Sequence, residues 1–285
     1  MTATTPPTMP ATTPTTNPNQ ALWEKGDFTK LAESMRESGE AFVAGLNVER
    51  GARVLDVGCG DGTTAIPLAQ RGASVLGVDI ARNLVEAGNR RAGEKGLDNV
   101  KFQHGDASAL VDIADASVDL VVSVFGAMFA PRPHDVAREL VRVTRPGGRI
   151  VMGNWIPGDP TLVAEILRIS SAYSPAPPAG FISPMKWGVE AEVIERFGAA
   201  GIPESQITFE RQTFTFRLPT PSVTMLERFR NFYGPTMNAF EAAERDGRTE
   251  SLWTELSALF EAHNRGGSNA TEIPATFLKV TVQKP

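Results

Sequence analysis

Val54-Leu55-Asp56-Val57-Gly58-Cys59-Gly60-Asp61-Gly62 is the stretch that decides the fold. Arg53 to Val57 is short, with Val54, Leu55 and Val57 apolar, and reads as a buried strand. The three glycines that follow let the chain turn sharply and let a ligand lie against the main chain. Thr63 to Arg71 then reads as a helix, with Ile66, Leu68 and Ala69 available for packing and Gly72 at its C-terminal end. The start of such a helix carries unpaired N–H groups and a partial positive charge, so a small anionic group can dock there.

Outward from this loop the same alternation repeats. Ser74–Asp79 reads as a second strand, followed by a helix from about Arg82 to Lys95 that Gly96 closes. Asn99–Gln103 is the third strand. Val118–Val124 is the fourth, almost continuously apolar as a central parallel strand is. A helix over Asp135–Thr144 ends at Arg145-Pro146-Gly147-Gly148, and Arg149–Gly153 is the fifth strand. Strands alternating with helices predict βαβ units and a parallel sheet covered on both faces. Upstream, Leu22 to Leu46 is helical in pattern. Downstream of Trp155 the regularity stops. Helical stretches are expected at about 160–172, 188–200, 221–246 and 249–263. Two strands are expected, over Ile207–Leu218 with a break at Gln212, and over Thr276–Gln283.

Composition narrows the partners. The 285 residues carry a net charge of −5 and 41% hydrophobic residues. That suffices for one large α/β domain, and no segment is basic enough for a nucleic-acid partner. No apolar run approaches the roughly 20 residues of a membrane span. Cys59 is the single cysteine, so no internal disulfide is possible, and no motif points to a metal. Residues 1–19 are dominated by Thr and Pro and are expected to be a disordered tail. They lack the features of a secretory or transit signal, which makes a cytoplasmic location the expectation. Residues 20–285 are expected to form one domain: a cofactor-binding core over 20–154, a substrate lid over 155–275, and a last strand over 276–285.

The loop discriminates between nucleotide ligands. A dinucleotide fingerprint wants G-x-G-x-x-G, but position 63 is Thr. A phosphate-binding P-loop wants a Lys after the last glycine, and none follows Gly62. Asp79 closes the second strand 21 residues beyond Gly58, where a carboxylate can accept from both hydroxyls of a ribose. An adenosine cofactor with one small anionic group fits these constraints.

The sequence resembles the class I S-adenosyl-L-methionine-dependent methyltransferases, in particular the branch of the ubiquinone and menaquinone-biosynthesis C-methyltransferases. Val54–Gly62 resembles the first motif of that superfamily, and Gly77-Val78-Asp79 its acidic ribose-binding position. Gly105-Asp106-Ala107 resembles the third motif, Val118–Ser123 the fourth, and Arg142–Gly148 the fifth. The likeness covers roughly residues 22–154 and is diffuse beyond. It implies a Rossmann-like, doubly wound, mostly parallel seven-stranded sheet with an antiparallel last strand and a helical lid insertion.

The resemblance also implies roles. Asp56, Gly58, Cys59, Gly60 and Thr63 would hold the cofactor with Asp79; Ile80 would pack on the adenine, Asp106 would accept from its amino group, and Ala107 would offer an N–H. Ser123 and Phe125, at the end of the fourth strand, are expected to face the cofactor. Trp23 and Phe28 belong to a segment that folds over the cofactor in related enzymes. With Phe129, Trp155, Phe181, Trp187 and Tyr233 they are the candidates for an apolar acceptor pocket under a lid. His134, in the loop after the fourth strand, is the candidate general base; no other catalytic residue suggests itself. The expected reaction moves a methyl group from the cofactor to a small hydrophobic or aromatic acceptor. A non-catalytic S-adenosylmethionine-binding protein and a nicotinamide-dependent oxidoreductase are the alternatives.

Overall fold

The computed structural model describes residues 19–285, so the expected tail lies, up to residue 18, outside the described residues. Seven strands form one sheet: β1 (Arg53–Val57), β2 (Ser74–Asp79), β3 (Val100–His104), β4 (Val118–Val124), β5 (Thr144–Trp155), β6 (Ile207–Leu218) and β7 (Thr271–Gln283). Their order is β3-β2-β1-β4-β5-β7-β6. The first five run parallel, with Leu55 beside Leu76 on one side and Val121 on the other. The last strand inserts antiparallel between β5 and β6. The chain thus winds outward in both directions from β1, and the crevice between β1 and β4 is the switch point where open α/β sheets bind ligands.

The apolar reading of the central strands holds. Leu55, Val57, Val121, Val122 and Ile150 are fully buried, as strands covered on both faces require. Helices α4 (Ala65–Gln70), α5 (Arg82–Glu94) and α6 (Pro133–Val143) connect them. Pro133 takes the first turn of α6, where its missing N–H costs nothing, so this helix starts two residues before the expected Asp135.

Other boundaries differ from expectation for identifiable reasons. The helical pattern of 22–46 is broken into α1 (Gln20–Glu24), α2 (Thr29–Ala32) and α3 (Arg36–Ala44). Gly26 lies too close to the Phe232 carbonyl for any side chain, which fixes the break there. The stretch 221–246 is two helices, α9 (Ser222–Phe232) and α10 (Gly234–Arg245), since Tyr233 adopts an extended backbone between them. Strand β6 runs through Gln212 without a break, because β7 pairs with it along its whole length. That pairing also starts β7 at Thr271, five residues before Thr276. The remaining helices are α7 (Leu162–Ser171), α8 (Glu190–Ala199) and α11 (Thr249–His263). Among the described residues, no helix is long and apolar enough to cross a membrane.

Candidate active site

A cavity of about 1190 Å³, counted with its open mouth, lies at the C-terminal ends of β1, β2 and β4. Its inner end is made by the glycine loop. Gly58 and Gly60 both adopt left-handed conformations, with φ of +69° and +54°. The position a Cβ would take on Gly58 is 2.5 Å from Gly126 Cα, so the loops after β1 and β4 touch backbone to backbone. Beside Gly60 that position is open space.

The loop is pinned from two sides. Gly60 N–H donates to Asp79 Oδ2 at 2.8 Å, and Ala81 N–H donates to Oδ1 at 2.9 Å. Asp61 is held by the guanidinium of Arg36 on α3, with Arg91 of α5 3.5 Å away. Its charge is therefore matched. That of Asp79 is not, and burial raises its carboxyl above the usual range.

Asp56 is fully enclosed beneath the loop. Ala65 N–H donates to it, while its Oδ2 has no partner. Burial, with Asp79 nearby, pushes its carboxyl up to about 8. Among the described residues, no Lys, Arg or His lines the cavity. An acidic, partly unsatisfied wall of this kind suits a ligand carrying net positive charge and repels a pyrophosphate. S-adenosylmethionine carries a sulfonium and an ammonium against one carboxylate, so the donor set fits it.

The outer end is aromatic. Phe125 sits at a φ of +59°, a strained conformation for a bulky residue. Its ring lies stacked on Trp155, centroids 3.6 Å apart, and meets the edges of Phe214 and Phe277. Trp23 of α1 contacts Phe129 at 4.9 Å, Tyr233 at 5.8 Å and Phe28 at 6.0 Å. Helix α1 reaches both halves of the molecule, since Glu24 accepts from Arg82 N–H and Lys25 pairs with Glu241.

Most expected residues come together on this wall: Asp56, Gly58, Cys59, Gly60, Thr63, Asp79, Ile80 and Ala107 at the inner end, and Phe125, Trp23, Phe28, Phe129, Trp155 and Tyr233 at the outer. Five do not line it. The Ser123 hydroxyl donates to the Val57 carbonyl at 2.6 Å and accepts from Ala127 N–H, so it ties β4 to β1 behind the wall. Asp106 lies between two lining residues, but its own carboxylate accepts from Ser108 N–H and faces Arg132 at 3.7 Å. Trp187 is buried beneath the Arg196 guanidinium and against Phe197, because Gly188 packs directly on the Trp155 carbonyl and turns the indole toward α8. Phe181 is 56% exposed. His134 is half-exposed, with Glu195 3.7 Å away, and does not reach the cavity as a base would have to.

Several wall residues escaped the sequence reading: Gly126, Leu84, Val124, Phe214, Phe216 and Phe229. The alternation of Phe214 and Phe216 marked a strand, but nothing local said that their shared face would meet a site built by β1 and β4.

The fold, with β7 reversed between β5 and β6 in an otherwise parallel sheet, and the acidic glycine loop define a cofactor-binding α/β enzyme. Comparison with known proteins specifies it. A family described as "Methyltransferase domain" matches residues 55–152. The Mycobacterium tuberculosis protein Rv1403c is 35% identical over 253 residues, 88% of each chain. Among solved structures, YcgJ from Bacillus subtilis superposes with a TM-score of 0.58 at 20% identity, over 87% of this chain and 99% of its own. A Haemonchus contortus phosphoethanolamine N-methyltransferase, solved with phosphomonomethylethanolamine and S-adenosylhomocysteine, gives 0.55 at 18% identity, over 87% of this chain and 52% of its own. The chain belongs to the class I S-adenosylmethionine-dependent methyltransferases. It is thus an enzyme, with S-adenosylmethionine as its cofactor.

Proposed function

We propose that the enzyme methylates a small, neutral, apolar or aromatic acceptor held in the outer half of the cavity. One observation carries this reading. Among the described residues, the acidic lining groups are Asp56, Asp61 and Asp79 at the inner end, no cationic side chain lines the cavity, and nine of the other lining residues are aromatic. An acceptor bearing phosphate or carboxylate, such as the phosphomonomethylethanolamine bound by the Haemonchus enzyme, would meet no cation here. A flat apolar acceptor would exchange water for rings on several sides.

Each chain residue then has a task. Asp79 accepts from the ribose hydroxyls, Ile80 and Ala107 border the adenine, and the backbone of the 58–60 loop receives the amino-acid end. Asp56, enclosed beneath the loop, ionises more readily once the cofactor's positive charge is near. When bound, the cofactor supplies an electrophilic methyl group, so the protein needs chiefly to align the acceptor and exclude water. Trp23 and Tyr233 cover the mouth, and Phe125 with Trp155 forms the floor on which an acceptor ring rests. Among the described residues no wall side chain is a histidine or lysine base, which favours an acceptor whose proton is lost readily.

Two measurements test this. Asp79→Ala is expected to weaken S-adenosylhomocysteine binding in calorimetry by about 1–3 kcal/mol, since buried hydroxyls lose their partner; unchanged affinity in a folded variant would remove Asp79 from the site. In a labelled-methyl assay, neutral aromatic acceptors should be methylated and their phosphorylated counterparts not. The reverse order would overturn the acceptor assignment.

A further inference from the structure

Among the described residues, the aromatic half of the cavity has one hydroxyl-bearing side chain, that of Tyr233. The residue is 5% exposed and lines the cavity wall. Its ring is fixed on three sides, by Phe229 at 5.3 Å, Trp23 at 5.8 Å and Phe28 at 6.3 Å. Its backbone is fixed as well. Tyr233 is the extended residue joining α9 to α10, and the next residue, Gly234, has room for no side chain because the Leu22 carbonyl of α1 would be 2.7 Å from its Cβ. The phenol is therefore held in place by the corner it stands on and by the helix that covers it.

Its hydroxyl, by contrast, is unsatisfied. Among the described residues none hydrogen-bonds to it, and its oxygen is not sealed in by protein but open to space that a ligand can fill. Burial alone keeps it from ionising, so it remains a neutral donor and acceptor at any physiological pH. The other polar side chains of the aromatic half serve different ends. Asn19 donates to the Phe129 carbonyl, and the indoles of Trp23 and Trp155 can donate but not accept.

A hydroxyl on a rigidly held ring, unpaired within the protein and accessible in an aromatic chamber, has the form of a recognition group. A site built to hydrogen-bond a ligand oxygen rejects the analogue lacking it far more strongly than an apolar wall rejects a change of size. We propose that Tyr233 is the specificity-determining residue for the acceptor: its hydroxyl hydrogen-bonds a hydroxyl or carbonyl oxygen on an otherwise apolar aromatic ring. This rests on the assignment of the outer half to a neutral aromatic acceptor, and it narrows that class to phenol-like or ketone-bearing rings.

The test uses 2-naphthol and naphthalene as probes, titrated into the full chain saturated with S-adenosylhomocysteine and followed by tryptophan fluorescence. The wild type should bind 2-naphthol about tenfold tighter than naphthalene, the value of one hydrogen bond between neutral groups. Tyr233→Phe, which keeps the ring and its packing, should bind both probes equally, at the wild-type affinity for naphthalene and with an unchanged melting temperature. If Tyr233→Phe retains the preference, or if the wild type binds both probes without one, the proposal is overturned while the aromatic acceptor stands. If neither probe binds the wild type, the aromatic acceptor itself is overturned, and the role of Tyr233 with it.

Discussion

The two ends of the cavity are built by opposite means. The inner end comes mainly from one run of chain, Asp56 to Thr64, joined by Asp79 and Ile80, and it works through backbone geometry and carboxylates. The outer end comes from side chains spread between Trp23 and Tyr233, and it works through rings. The first kind of site tolerates almost no change in main-chain shape. The second tolerates no loss of volume. Variants that separate shape from volume therefore probe the division directly.

The largest effect is expected at the outer end. Trp155 is 4% exposed and carries the Phe125 ring, whose backbone is itself in a strained conformation. Trp155→Ala should lower the unfolding free energy by about 3–5 kcal/mol, read from urea denaturation. A loss below about 1 kcal/mol would mean that the floor of the chamber is soft and that volume does not govern this end.

The inner end should break by a different route. A Cβ on Gly126 would lie 2.3 Å from the Gly58 carbonyl oxygen, although the φ of Gly126 is negative and itself acceptable to any residue. Gly126→Ala should thus cost stability by overpacking, toward the upper end of about 1–3 kcal/mol, and should also displace the loop and lose S-adenosylhomocysteine binding. Gly60→Ala is the complementary change. Nothing lies within 4 Å of its Cβ position, but φ is +54°, so the cost is conformational, about 1–2 kcal/mol. Equal binding defects in the two variants would show that loop conformation, not the contact between the β1 and β4 loops, sets the site.

Electrostatics gives a smaller, graded effect. The Asp56 carboxyl stands at about 8 in the folded protein, above the ordinary aspartate value of about 3.9 expected on unfolding. Between these values the folded state binds the extra proton, so this group's contribution to stability falls as pH rises and levels off above about 8. The slope reaches at most about 1.4 kcal/mol per pH unit. Ligand-free wild type should therefore lose stability from pH 6 to pH 8 relative to Asp56→Asn, and saturating S-adenosylmethionine should narrow the difference. Parallel pH profiles for the two proteins would show that Asp56 is not protonated in the free enzyme.

The same contrast explains what was legible in the sequence. Val54–Gly62 states its own structure, since strand, left-handed turn and helix start are consecutive and each is dictated by local chemistry. Asp79 could be found because a βαβ unit brings the end of β2 beside the end of β1. Ser123 stands near the end of β4, but its hydroxyl satisfies the Val57 carbonyl and Ala127 N–H, a pairing that only the packed strands reveal. Phe214 and Phe216 were invisible as site residues because β6 reaches the cavity only once β7 has inserted between it and β5. Tyr233 is legible as a candidate for the apolar pocket, while the corner that orients it depends on Gly234 meeting Leu22 far away in sequence.

Phe181 and Trp187 sharpen the point, for both belong to one apolar, proline-marked run, and it splits. Trp187 went into the packing of α8, and Phe181 went to the surface, with Ile182 beside it 41% exposed. An apolar run records that a segment must cover something, not which surface it covers. Phe181→Ala should accordingly change unfolding free energy by no more than about 0.5 kcal/mol, as surface substitutions do, and should leave binding of 2-naphthol to the S-adenosylhomocysteine-loaded enzyme unaltered. A loss of probe affinity there, with stability unchanged, would show that the 174–183 segment folds inward when the chamber is filled, and would return Phe181 to the acceptor wall.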